Sequence, residues 1–151
     1  MEIDFLKAIQ DKLEEVTELK YIDEDWGQLD YYSPNFPVQW PCCLIDITGA
    51  TFSDIGTDRT AQPQNRQQGT VNVSFTFANL KLTNTSLKAP TTQKENAWKL
   101  YDIMQKAHEV LQGLRPDDHC GKLIRSGFRR IKRDDGVQQY QVIYTVGLNN
   151  V

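Results

Sequence analysis

Histidine, cysteine and long apolar runs are all scarce in this chain of 151 residues, which has two His and three Cys. The histidines, His108 and His119, leave little material for general acid–base chemistry. His108 stands between Ala107 and Glu109 within a helical pattern, the position of a partly exposed helix residue. His119 precedes Cys120, but nothing at ligand spacing completes a metal site or a Cys/His pair. Cys42, Cys43 and Cys120 lack CxxC spacing. Neighbours on a strand point to opposite faces, so Cys42 and Cys43 are poor partners for one metal or for each other. All three read as buried free thiols. No phosphate-binding, dinucleotide, HExxH or GxSxG pattern occurs, and Asp117-Asp118 and Asp134-Asp135 fall in turns, where aspartate serves the backbone. The expectation is a protein that is not an enzyme, with no cofactor, no metal and no catalytic residues. Nowhere do eighteen apolar residues run together, which excludes a membrane-spanning helix. The opening Met-Glu-Ile-Asp is acidic where a secretory leader is basic, so a cytoplasmic place of assembly is expected.

What is present is the material of one globular domain, residues 1–151, with 39% hydrophobic and 25% charged residues. The net charge of −3 hides an asymmetry. Residues 1–30 hold ten acids and three lysines, a balance of −7, which leaves +4 for the rest. The densest basic run is Lys122, Arg125, Arg129, Arg130, Lys132 and Arg133. Opposite charges at the two ends permit head-to-tail pairing with a second copy. Two solvated faces of opposite sign are the plainer account.

Periodicity sets out an α+β domain. Residues 2–18 form an amphipathic helix on Leu6, Ile9, Leu13 and Val16, with Phe5 beside them. Residues 19–22 form a short strand, and 26–41, rich in aromatics and proline, an extended connection. Cys42 to Thr48 is a compact strand ending at Gly49. Residues 49–69 have no sustained period and are read as a long flexible arm or loop. In the strand at 70–78, Val71, Val73, Phe75 and Phe77 alternate with the uncharged Thr70, Asn72, Ser74 and Thr76. A second helix runs from a capping box, Thr92 and Glu95, to Gly113 as its left-handed terminator. Two strands, 123–131 and 137–148, close the chain as a hairpin about Asp134-Asp135-Gly136, with a bulge expected near Gly127. The order α-β-β-β-α-β-β predicts a mostly antiparallel or mixed sheet of four to five strands with two helices on one face.

This order, carried by the N-terminal helix, the strand 42–48, the arm 49–69, the strand 70–78, the helix 92–111 and the closing hairpin, resembles that of phage tail terminator (tail completion) proteins. The resemblance implies a ring, typically a hexamer, that caps the tail tube and offers a surface to the head or neck, first in the cytoplasm and then in the virion tail. Tube protein and head or neck protein are then the partners, with no membrane and no specific nucleic acid, although DNA passes through such a ring. A ring needs two different surfaces that fit each other. Glu14 and Glu15 on one side and Arg125, Arg129 and Arg130 on the other are the candidate pair. Phe52 and Ile55 are candidate anchors on the arm, with Arg59 and Arg66 supplying charged hydrogen bonds. The row Thr70, Asn72, Ser74 and Thr76 is a candidate lining that does not grip phosphate. A head-completion or neck protein is the alternative within this class. A small nucleic-acid-binding module is the alternative outside it, with Arg125 and Arg129 on one strand face near Phe128.

Overall fold

The computed structural model describes residues 3–31, 36–80 and 85–149. The first residues of the expected opening helix, and Tyr32 and Pro34 of the aromatic connection, lie outside them. Three helices and five strands follow in the order α1 (Ile3–Leu13), β1 (Tyr21–Glu24), β2 (Cys42–Thr57), β3 (Asn65–Leu80), α2 (Thr91–Ala97), α3 (Lys99–Leu111), β4 (Ile124–Ile131) and β5 (Val137–Asn149). The strands form one mixed sheet ordered β1-β2-β3-β5-β4, in which only β1–β2 is parallel. The fold is α+β as expected, but the expected pair of helices is three.

The alternation read in β3 fixes the main core. Val71, Val73, Phe75 and Phe77 turn to the helices, joined across the sheet by Ile45 of β2 and Tyr140, Val142, Tyr144 and Val146 of β5. From above, α1 contributes Phe5, Ile9 and Leu13, and α3 contributes Leu100, Ile103, Ala107 and Leu111. The first helix stops at Leu13 rather than at residue 18. Its stripe continues through tight turns that bring Val16 and Leu19 into the same core.

The second helix breaks at Trp98, whose backbone (φ −99°, ψ 7°) leaves the helical region. The break lets Ala97 and Leu100 both reach the core while Trp98 stays half exposed. The expected capping box is not made. The N-cap falls on Pro90, which has no side-chain acceptor, so Thr92 already lies in the first turn. Gly113 does terminate α3 at φ 82°, and its N–H donates to the Leu123 carbonyl at 2.8 Å.

The opposite face of the sheet departs further from expectation. Ser74 and Thr76, read as part of an open polar row, are 1% and 4% exposed. A second cluster of Leu29, Cys42, Leu44, Ala78 and Val137, with Phe36, Val38 and Trp40 packed on it, occupies this face. Leu29 and residues 36–40 therefore pack over this face of the sheet. Arg133 holds Leu29 from the other side: its guanidinium donates to the Leu29 carbonyl, to Gln139 and twice over to Asp135. Cys42, Cys43 and Cys120 are all buried and free, and burial pushes the Cys42 thiol up to about 12.

Candidate functional site

The arm expected at 49–69 is the outer half of a long β2–β3 hairpin, so β2 does not end at Gly49. Past a first bulge after Ile47, pairing continues from Gly49–Asn72 to Thr57–Asn65 through a second bulge after Asp54, and only residues 58–64 form the connection. Asp58 shapes that turn: its carboxylate accepts from the Thr60 amide and hydroxyl, and its own N–H donates to Gln64 O. The segment shows no apolar period because beyond Ala50 it leaves the core; backbone pairing makes the rest a strand. Beyond Gln68 no described residue of β5 supports it. Its tip thus projects by roughly 10 Å plus the turn, at about 3.3 Å per residue.

Phe52 marks the root of this arm. It pairs with Gly69, and a Cβ placed there would stand 2.7 Å from the Phe52 ring and 3.1 Å from the Thr51 carbonyl oxygen. Glycine is the residue that lets the half-exposed ring lie across the partner strand. Ile55, in the second bulge, and Arg59, in the turn, are exposed, while Arg66 is half-buried. Around the root, Thr51, Ser53, Gln68, Thr70 and Asn149 line an uncharged groove of about 330 Å³. Of the row first proposed as a lining, Thr70 and Asn72 are exposed here; Ser74 and Thr76 are buried on the face where Leu29 and residues 36–40 pack.

The two sheet edges carry the candidate charges. On the β1 edge, Glu14 and Glu15 follow α1 and are exposed, and Glu15 pairs with Lys12 at 3.2 Å. Gln10 Nε2 donates to the Ile22 carbonyl at 2.8 Å, on the outer side of β1. On the β4 edge the register shifts between Arg125 and Gly127, the bulge expected there. The shift overturns the expectation that Arg125 and Arg129 share a face. Arg125 lies opposite Tyr144 and Arg130 opposite Tyr140, so both face the helix layer, whereas Arg129, opposite Gln141, faces the other way. Arg133, counted in the basic run, is consumed internally.

On the helix-side face of β4, Phe128, already noted beside the arginines, has aromatic company that sequence reading missed. Trp98, Tyr101 and Phe128 are all exposed. Phe128 stacks on Tyr140 at 5.8 Å, Arg130 lies 5.9 Å from the same ring, and the Tyr140 hydroxyl donates to that of Tyr101 at 2.9 Å. Tyr101, Phe128 and Tyr140, brought together from α3, β4 and β5, leave no local signal, because their spacing in the chain is set by the fold.

Behind them, His108 Nδ1 lies 2.8 Å from the Tyr144 hydroxyl. Burial, and then the Arg125 charge, hold the imidazole below its ordinary 6.5. The unfolded chain therefore takes up this proton more readily than the folded one. The sign follows: stability at neutral pH is lost as pH falls through 6.5 toward the folded value. Denaturant midpoints of wild type and His108→Gln should keep a fixed difference above about pH 7.5 and shift against the wild type below about pH 6. A difference that stays constant across the range would remove His108 from the acid response. Among the described residues, no group of three or more His, Cys, Asp or Glu could hold a metal, and no helix is long and apolar enough to cross a membrane.

These features define a class by fold: a five-stranded mixed sheet, helices on one face, a long projecting hairpin and edges of opposite charge. No protein-family model matches the chain, and comparison with curated proteins finds no match. Solved structures do match. One is a chain of the structure titled "Virion of native gene transfer agent (GTA) particle", similar at 6% identity and a TM-score of 0.53 over 95% of this chain and 93% of that one. At that identity the likeness is one of fold.

Proposed function

We propose that this protein is a structural component of a phage-type particle, a tail terminator that closes the tube as a ring of its own copies and presents a surface to the head or neck. The observation that carries the reading is the fold shared, almost end to end, with a chain of a gene transfer agent virion. Two features of the chain support it. The acidic α1–β1 side and the basic β4 side lie at opposite edges of one sheet, as a closed head-to-tail ring requires. The arm adds a projecting hairpin with Phe52 and Ile55 exposed on it, suited to reach a neighbour. In this reading the protein is not a catalyst, it assembles in the cytoplasm, and its partners are itself, six copies around the ring in keeping with the family it resembles, then the tube and the head or neck. The uncharged groove at the arm root would let DNA pass without gripping it.

Solution mass by light scattering coupled to size exclusion, across concentration and salt, tests this directly. The expected result is a closed oligomer that weakens as salt rises. A strict monomer that also fails to bind tail tube would sink the proposal. The same tail or neck chemistry as a head-completion protein is separated by which end of a purified tail or capsid the ring occupies. The nucleic-acid module keeps one observation in its favour, Phe128 between Arg125 and Arg130 on one exposed face. Binding of a single-stranded oligonucleotide that falls steeply with salt would favour that reading instead.

A further inference from the structure

We infer that the ring contact is a side-chain knob seated in a groove: Phe128 of one copy enters the groove between α1 and β1 of the next. The inference rests on the assembly reading above and names its surfaces. Gln10, Asp11, Glu14, Leu19, Tyr21 and Ile22 line a groove of about 350 Å³ along the β1 edge, with Lys20 among them. Leu19, Tyr21 and Ile22 give it apolar surface among polar neighbours, and its helix-side lip carries the exposed carboxylates of Asp11 and Glu14. The β4 edge presents the complement. Phe128 is 56% exposed yet held from behind by the Tyr140 ring, and Arg125 and Arg130 share its face. An aromatic side chain fixed on one side and bare on the other loses little freedom on docking, which is how interface anchors gain their energy.

Three observations select a second copy as the occupant. The first is charge, since Arg125 and Arg130 flank the knob and Asp11 and Glu14 flank the groove. The second is position. β1 and β4 are the two edges of a five-stranded sheet, about 19 Å apart at about 4.8 Å per strand, so the knob cannot reach its own groove. The third is the closure of the alternative. Gln10 already occupies the Ile22 carbonyl on the outer side of β1, so a neighbour's strand cannot simply extend the sheet there. The contact must be made by side chains. The pairing also revises the first candidate set. Glu15 is taken by Lys12 and Arg129 faces away, so Asp11 and Glu14 opposite Arg125 and Arg130 replace the pair Glu14/Glu15 and Arg129/Arg130.

A head-to-tail contact allows a test by mixing. Phe128→Asp has a spoiled knob and an intact groove; Asp11→Arg with Glu14→Arg has the reverse. Each alone should self-associate roughly thirtyfold more weakly than wild type. Mixed in equal amounts they should form a 1:1 dimer, seen by light scattering, and stop there, because the dimer's free ends are the two spoiled surfaces. If wild type assembles and the mixture stays monomeric, this contact is wrong and the assembly reading stands. If wild type is monomeric at every concentration, with and without tube, both fall. If wild type binds a labelled single-stranded oligonucleotide and Phe128→Asp does not, the face belongs to nucleic acid and the inference is overturned. Thermal unfolding matched to wild type shows that the exposed substitutions leave the fold intact, and Phe128→Ser replaces Phe128→Asp if the new charge disturbs Tyr140.

Discussion

Phe75→Ala is expected to lower stability by about 3–5 kcal/mol, the range for emptying a fully buried aromatic site. Phe75 is wholly buried in the central strand β3, between Ile45 on β2 and Val142 on β5. Its ring meets Tyr144 edge-on, with centroids 5.3 Å apart at 84°. Both neighbours are strands, which cannot shift inward to fill the space without breaking register, so the cavity term should be near full size. Domains of this size are stable by about 5–15 kcal/mol, so one substitution removes a large share. Urea unfolding should show a lower midpoint with an unchanged slope. A loss under about 1 kcal/mol would mean that the sheet and helices are not packed through this residue.

The second large effect falls on the opposite face. Arg133→Ala should cost about 2–3 kcal/mol, in line with the loss of several hydrogen bonds from one charged donor. The guanidinium binds Asp135 through Nε at 3.1 Å and Nη2 at 2.6 Å, reaches Gln139 at 3.0 Å, and donates to the Leu29 carbonyl from the far end of the sequence. Removing it frees the connection at Leu29. Limited proteolysis should then cut near residues 36–40 much faster, and the urea midpoint should fall in proportion to that loss. Arg133→Lys keeps the charge but not the fork and should recover less than half of the loss. Equal cutting of wild type and variant would show that this connection is held by its apolar contacts alone.

Much of the helix-side architecture was legible because it is written in local periods. Every second residue of 71–77 is apolar, every third or fourth of α1 and α3 is apolar, and Asp134-Asp135-Gly136 marks its own turn. What stayed hidden depends on distant parts of the chain. Nothing near Ser74 reveals that Leu29, Phe36, Val38 and Trp40 will pack on its face of the sheet. The pairing of Ile55 and Arg66 regions is carried by backbone groups, to which hydrophobic patterning is blind. A bulge of one residue was foreseen near Gly127, yet its consequence, the exchange of Arg129 for Arg130 on the helix side, needed the register. The candidate surface was half legible for the same reason. Charge segregation between residues 1–30 and 122–133 could be counted, but the aromatic company of Arg125 and Arg130 comes from two other elements.

The buried thiols have a practical consequence for anyone who handles this protein. Only thiolate attacks a disulfide or an alkylating reagent, and burial pushes the Cys42 thiol up to about 12 and Cys43 and Cys120 upward as well. The native chain should therefore be silent toward a thiol reagent at neutral pH and should react at all three positions once denatured. It can be stored in air without cross-linking, and a cysteine introduced on its surface will take a label alone. Slow uptake of reagent under native conditions then becomes a clock for opening of the two layers, since Cys43 is covered by the helix-side core and Cys42 by the cluster around Leu29.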